Sequence, residues 1–125
     1  RGQIEGGFIQ GLGWLTTEEL VWNEDGRLTT HAPSTYKIPA CADRPVDWRV
    51  GFYAEGENSE ETIHKSKAVG EPPLMLAISA WLALSDALSG INGDKIDGAT
   101  YPGLDAPATP ERILLCANRL GARFV

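Results

Sequence analysis

The first fifteen residues combine a helical spacing of apolar side chains with an unusual number of glycines. Apolar positions recur at i, i+4, i+8 and i+11, and at 100° per residue they fall on one face of a helix. Three glycines fall on the opposite face. The pattern therefore predicts a Gly-rich N-terminal helix with one apolar face and one face without side chains. The apolar positions are Ile4, Phe8, Leu12 and Leu15, and the opposite glycines are Gly2, Gly6 and Gly13.

Glycine on a helix face needs a reason, because each one costs about 1 kcal/mol of helix stability relative to alanine. One explanation is that a second helix or strand packs tightly against the bare face. The other is a ligand along that face, to which the side-chain amide of Gln3 or Gln10 would offer both a donor and an acceptor. The residues alone leave both explanations open.

Two segments further along the chain carry signals of β structure. Residues 18–22 and 27–31 flank a tetrapeptide that ends in Asp25-Gly26, a pair that tolerates positive φ. Apolar and polar residues alternate through 47–55, which is typical of a strand half-buried against a core. Between them, residues 33–47 carry three prolines and are expected to be extended. The sequence predicts a β-hairpin and one further strand.

A long apolar segment lies in the second half of the chain. Residues 74–88 place apolar side chains on nearly every face, so they predict a buried helix that other protein must cover. Gly90 and Asn92-Gly93 are expected to end this helix, before a polar stretch rich in glycine. A short C-terminal helix should then open with Thr109 as its N-cap and Pro110 at its first position.

These elements predict an α+β fold, and the length of 125 residues, 1–125, predicts a single segment. Lys and Arg number 11 against 17 Asp and Glu, a net charge of −6, so a nucleic acid or an anionic membrane surface is not an expected partner. The longest uncharged stretch, 72–85, is shorter than the roughly 20 residues of a membrane span. Two distant cysteines, Cys41 and Cys116, predict half-buried free thiols in a reducing cytoplasm.

Residues 67–73, Lys-Ala-Val-Gly-Glu-Pro-Pro, hold the most informative carboxylate. A residue before proline is disfavoured in the α conformation, which predicts an extended Glu71 at the N-cap of a helix that Pro72 and Pro73 begin. The helix start favours the charged carboxylate, whereas burial favours the neutral one. Such a glutamate suits a general base, and it equally suits a cap that only stabilises the helix. Gly70 would let the backbone turn sharply or approach a ligand.

The sequence predicts no metal site built from the side chains of this chain. Its two histidines, His31 and His64, lie far apart, and neither belongs to a set of ligands at zinc spacing. The neighbouring Lys65 and Lys67 are expected to be a solvated pair.

Four motifs follow one another along the chain: Gly-Gln-Ile-Glu-Gly-Gly-Phe (2–8), Pro-Ser-Thr-Tyr-Lys-Ile-Pro (33–39), Ser-Lys-Ala-Val-Gly-Glu-Pro-Pro-Leu (66–74) and Ala-Pro-Ala-Thr-Pro-Glu (106–111). Their order and wording strongly resemble the C-terminal end of the molybdenum-binding subunit of xanthine dehydrogenases, in the molybdenum hydroxylase family. The resemblance spans nearly the whole chain, and Gly-Glu-Pro-Pro is specific to that family. The second and third motifs resemble xanthine dehydrogenases more closely than aldehyde oxidoreductases.

This resemblance implies that Glu71 is the active-site base, which takes a proton as an oxygen attacks an electron-poor ring carbon. It also implies that Gln3 contacts the molybdopterin cofactor and that Gly70 lies against the molybdenum ligands, with the metal held by the pterin. The complete protein would oxidise hypoxanthine and xanthine to urate. This chain would form the C-terminal part of its molybdopterin domain and would be inactive alone.

The same resemblance implies FAD and 2Fe-2S clusters in other domains or subunits. The expected partners are the rest of the molybdenum-binding subunit, an iron–sulfur/FAD subunit and a purine substrate, in the cytoplasm. Two alternatives stay open. One is a related hydroxylase acting on an aldehyde or another N-heterocycle, since the residues that orient the substrate are expected upstream of Arg1. The other is a non-catalytic α+β assembly module in which Glu71 only caps a helix.

Overall fold

The structure, a computed structural model, describes residues 1–92 and 101–122 of the chain. Its α-helices are α1 (Gly2–Thr16), α2 (Glu71–Leu76), α3 (Ile78–Ser89) and α4 (Pro110–Arg119). Single turns of 3-10 helix occur at Cys41–Asp43, Ile63–Lys65 and Gly90–Asn92. The long connection from α1 to α2 is otherwise irregular, and the glycine-rich stretch expected at 93–100 lies outside the described residues.

The two terminal helices form where the sequence predicts them. Helix α1 is the Gly-rich N-terminal helix, and α4 is the short C-terminal helix. Thr109 is the N-cap of α4, and its side-chain oxygen accepts a hydrogen bond from the Arg112 backbone N–H at 3.3 Å. Pro110 follows at the first helical position, where a missing N–H leaves no hydrogen bond unmade.

Replacing Thr109 by alanine is expected to lower the free energy of unfolding by about 1 kcal/mol, because α4 then loses its only side-chain cap. Denaturant unfolding of the two proteins measures the difference. Thr109→Ser is the matched control, since it keeps the hydroxyl acceptor and should stay within a few tenths of a kcal/mol of the original protein. Equal losses in both variants would show that the cap contributes nothing.

The predicted α+β fold is wrong, because the described residues contain helices and no β-strand. Where a hairpin was predicted, the backbone makes only an isolated antiparallel bridge between Trp22 and Leu28. Side chains accept hydrogen bonds from backbone N–H groups that would pair with the opposite strand in a longer hairpin. The Asn23 amide oxygen accepts from the Arg27 backbone N–H at 2.8 Å, and the Thr30 hydroxyl accepts from that of Val21 at 3.0 Å.

The further strand predicted at 47–55 is also absent. A half-buried strand needs a partner for its backbone groups, and no other described segment pairs with this one. Trp48 instead packs against Phe8 of α1, with ring centroids 5.5 Å apart and the rings edge to face. Of the alternating apolar residues, Trp48 contacts α1 whereas Phe52 is exposed, so the pattern does not mark the buried face of a strand.

The apolar helix predicted at 74–88 is present as two helices that are divided at Ala77. Several of its large side chains are exposed, so the described residues do not supply the cover that the sequence predicts for this helix. No other described segment is in a position to cover them. These side chains are Met75, Leu76, Ile78 and Leu82.

The main buried cluster joins the end of α3, the segment 101–108 and α4. Five buried residues form it, with Trp81 and Leu84 of α3 packed against it. Leu104 is the largest side chain that is fully buried. Its neighbours in the cluster are Leu88, Ala108, Cys116 and Ala117. The prediction of two half-buried thiols is wrong for each cysteine, since Cys41 is exposed and Cys116 is buried.

Residues 71–89 are the one stretch of the described chain that has the length and hydropathy of a membrane-crossing helix. The stretch has 19 residues and a mean hydropathy of 1.3, and 17% of its residues are buried. The sequence expectation counted only uncharged residues and missed this stretch. Core helices of soluble proteins have the same length and hydropathy. These two properties therefore do not show whether the stretch crosses a membrane or lies in a protein core.

Candidate functional site

Helix α2 lies directly against the backbone of α1 because two glycines of α1 have no side chain. A Cβ atom at Gly7 would lie 2.8 Å from the Gly70 carbonyl oxygen. At Gly11 it would collide with the Leu74 carbonyl oxygen and lie 2.7 Å from Cβ of Ala77. Any larger residue at either position would push the two helices apart.

At Gly7 and Gly11, the absence of side chains is therefore explained by tight helix packing and not by a ligand. The glycines in contact with α2 differ from those expected. Gly2 and Gly6 have no neighbour within 4 Å of a Cβ atom, and only Gly13 of the predicted bare face is crowded. There, a Cβ atom would lie 2.5 Å from the Pro39 ring.

The order of the contacts shows that α1 and α2 run in the same direction. Gly7 meets Gly70 at the start of α2, and Gly11, one turn later, meets Leu74. The two helix starts therefore lie at the same end of the pair. Gln3 is one turn before Gly7 on the same side of α1, so the register places it at the end where Glu71 begins α2.

Glu71 occupies the first position of α2, and not the extended N-cap position that the sequence predicts. Gly70 is the cap, with a helical backbone (φ −85°, ψ −41°). The Leu74 backbone N–H donates to the Gly70 carbonyl at 3.3 Å, which closes the first turn. The contact of Gly70 with Gly7 holds this turn in place and overcomes the preference of a residue before proline for an extended backbone.

The side chains of Gln3 and Glu71 are both exposed. Within residues 1–92 and 101–122, neither carries a side-chain hydrogen bond or an ion pair. The partly desolvated setting that the sequence predicts for Glu71 is therefore not formed by the described residues. What the fold brings together is a neutral amide, a carboxylate and a bare backbone at Gly70, all at one end of the helix pair and all accessible.

A groove of about 470 Å³ runs along the side of this helix pair. Ile4 and Phe8 of α1, Pro73 and Leu76 of α2, and Trp48 line it. Sequence reasoning assigned Trp48 to a strand and missed its contact with α1. No signal in the sequence pointed to this contact, because the alternation through residues 47–55 fits a strand.

Glu5, in the first turn of α1, forms an ion pair with Arg1. The Arg1 guanidinium donates to Glu5 at 2.7 Å, and this hydrogen bond holds the pKa of the Glu5 carboxyl below its usual value. Glu5 is thus occupied, which leaves Glu71 as the unpaired carboxylate at this end of the helix pair. Among the described residues, no group of three or more His, Cys, Asp or Glu side chains could hold a metal ion, and His31 and His64 are both exposed.

Residues 1–45, which contain α1, match the family model of a molybdopterin cofactor-binding domain. Curated relatives match almost the whole chain. It is 44% identical to a xanthine dehydrogenase of Oryza sativa subsp. japonica over 98% of its length, and 49% identical to a xanthine dehydrogenase/oxidase of Gallus gallus over 90%. A xanthine dehydrogenase of Blastobotrys adeninivorans is 46% identical over 94%.

The chain spans only 8–9% of the length of these relatives. The match to the rice protein covers 98% of the chain, so it includes the segment that carries Gly70 and Glu71. The resemblance stated from the four motifs is confirmed by these matches. Over almost its whole length the chain is therefore similar to a segment of xanthine dehydrogenases, and its first 45 residues match a molybdopterin cofactor-binding domain.

Proposed function

We propose that this segment supplies the general base of a molybdenum hydroxylase and that Glu71 is that base. The observation that carries the proposal is the placement of Glu71, an exposed and unpaired carboxylate held by the backbone contact between Gly7 and Gly70. A base needs a positioned backbone and a free lone pair. The contact of Gly70 with Gly7 supports the first, and the unpaired carboxylate supports the second. Replacement of Glu71 in the complete protein is the experiment that tests it.

The residues at the paired helix starts fit a molybdopterin. Open space beside Gly2 and Gly70 leaves room for a large planar group to approach the backbone. Gln3 is free to offer both a donor and an acceptor to such a group. When bound, the cofactor would supply the metal centre and the two-electron redox chemistry.

Within this proposal, the chain's own residues position one proton acceptor and part of the cofactor. Glu71 accepts the proton of the attacking hydroxyl, and the first turn of α2 fixes where its carboxylate can reach. Gly70 has no side chain and no neighbour within 4 Å of a Cβ atom, so its backbone would stay accessible to the cofactor. Gln3 orients the cofactor through its amide. This end of the helix pair is accessible, so other protein would have to cover it to exclude water.

The names of the relatives, xanthine dehydrogenases and a xanthine dehydrogenase/oxidase, support a purine as the substrate class. We propose xanthine or hypoxanthine as the substrate of the complete protein, with electrons passed on to iron–sulfur clusters and FAD held outside this chain. A hydroxylase of aldehydes or of other N-heterocycles would place Glu71 in the same way. We further propose a cytoplasmic protein in which α2 and α3 are interior helices that the rest of the molybdenum-binding subunit covers.

The exposed apolar surface of α2 and α3 favours this role over an independent assembly module. A free-standing module would bury Met75, Leu76, Ile78 and Leu82, because large contiguous apolar patches mark surfaces that other protein covers.

The 125-residue chain, produced alone, is expected to have no hydroxylase activity and to bind a hydrophobic dye or aggregate. Dye fluorescence and light scattering measure the exposed apolar surface. The double variant Met75→Gln/Leu82→Gln is the comparison, and it should reduce both signals because it removes apolar surface. A soluble monomer without dye binding would support the assembly module instead.

A further inference from the structure

A second groove, of about 650 Å³, lies at the other end of α1. Four of the residues that line it are Trp14, Leu20, Trp22 and Tyr36. The indole side chains of Trp14 and Trp22 are 62% and 55% exposed, which is unusual for the largest apolar side chain. Trp14 is eleven residues from Gln3, or about 16 Å along the helix, so this groove is separate from the site described above.

Arg112 of α4 forms another part of the groove wall. Its guanidinium donates to the carbonyl oxygens of Ala106 at 2.8 Å and Pro107 at 3.3 Å. It also forms an ion pair with the Glu19 carboxylate at 3.0 Å. Both terminal nitrogens of Arg112 are therefore engaged in holding the wall, and its charge is balanced by Glu19.

The groove contains a second carboxylate, that of Glu18, which has no such partner. Within residues 1–92 and 101–122, no side-chain or backbone donor reaches it. It lies against the backbone of Gly13, and burial raises the pKa of this carboxyl above its usual value. An unpaired carboxylate beside exposed aromatic rings has the chemistry that binds a cation.

We propose that this aromatic groove receives an arginine side chain from another segment of the enzyme polypeptide, with the guanidinium on the Glu18 carboxylate and against the tryptophan rings. Arginine suits the groove better than lysine, because a planar guanidinium stacks on aromatic faces and pairs with both oxygens of a carboxylate. A segment of the same protein is the expected source, because the relatives have more than ten times the length of this chain. Only the source of the arginine, a longer enzyme polypeptide, rests on the proposed function.

A photo-cross-linking residue at Leu20 of the complete, cofactor-loaded protein tests the inference. Leu20 lines the groove and is exposed, so p-benzoylphenylalanine fits there without displacing the core. We expect one dominant cross-link, to an arginine-containing peptide of the same polypeptide outside this segment. The same probe at Thr30, also in the groove, guards against a failure of the first variant to fold.

Glu18→Gln should then reduce the cross-link to the level found with a probe at the exposed Val46, outside the groove. Glu24→Gln, in the exposed turn, is the matched control and should leave the cross-link unchanged. The inference is overturned by the absence of a cross-link, by a captured peptide without arginine, by capture of a second copy through this same segment, or by a yield that Glu18→Gln leaves unchanged. Turnover that depends on Glu71 is measured separately, so either proposal can fail alone.

Discussion

Glu71→Gln in the complete protein is expected to lower turnover by about a hundredfold to ten-thousandfold, the contribution of a positioned general base. Glutamine keeps the size and polarity of the side chain but accepts no proton at neutral pH. Molybdenum and pterin content should stay the same, since the proposal assigns cofactor contact to Gln3 and not to Glu71. Steady-state turnover normalised to molybdenum content is the measurement.

Glu61→Gln is the matched control for this substitution. Glu61 is also an exposed carboxylate, and it lies in the segment that leads to α2 but outside the helix pair. It should leave turnover within about twofold, because exposed substitutions away from a site change little. Near-normal turnover in Glu71→Gln would show that this carboxylate only begins a helix.

Gly11→Ala is expected to have the second largest effect, through the packing of α1 on α2. Its new methyl group would meet the Leu74 carbonyl oxygen and the Ala77 side chain, and the backbone of α2 would have to move. Overpacking of this kind costs about 1–3 kcal/mol of stability. Because α2 carries Glu71, we also expect turnover per molybdenum to fall, whereas a purely local fault would lower stability alone.

Gly6→Ala makes the same change in the same helix, at a position with no neighbour within 4 Å of a Cβ atom. It should stabilise the protein by about 0.5–1 kcal/mol, because alanine loses less conformational entropy than glycine in a helix. Thermal unfolding and turnover of both variants are compared. If Gly11→Ala is tolerated as well as Gly6→Ala, the close backbone contact does not hold α2.

The sequence predicted the helices and a close approach at glycines, but of the glycines it chose only Gly13 is crowded, and the contact with α2 falls on Gly7 and Gly11. Gly2, Gly6 and Gly13 stood out because they lie opposite the apolar residues. Gly7 and Gly11 lie at the edge of the apolar face, which is the side that packs, and this is why α2 meets them. Periodicity identifies faces, whereas the position of the partner helix depends on contacts between distant parts of the chain.

The β elements were predicted from local signals that the surroundings do not complete. The turn at Gly26 forms with the positive φ (+74°) that Asp25-Gly26 favours. The flanking residues then lack the further ladder bonds of a strand, because Asn23 and Thr30 bind the backbone through their side chains. For the candidate site, the sequence identified Gln3, Gly70 and Glu71, and the parallel packing of α1 on α2 supplies the reason why they share one end.

The most direct test of the central claim is an experimental structure of the complete, cofactor-loaded protein, in which the surroundings of Glu71 can be measured. We expect the Glu71 carboxylate to lie within hydrogen-bonding distance of the molybdenum centre and the Gln3 amide to hydrogen-bond the pterin at the same end of the helix pair. A Glu71 side chain that points away from the metal, with another carboxylate in its place, would contradict the assignment of Glu71 as the base.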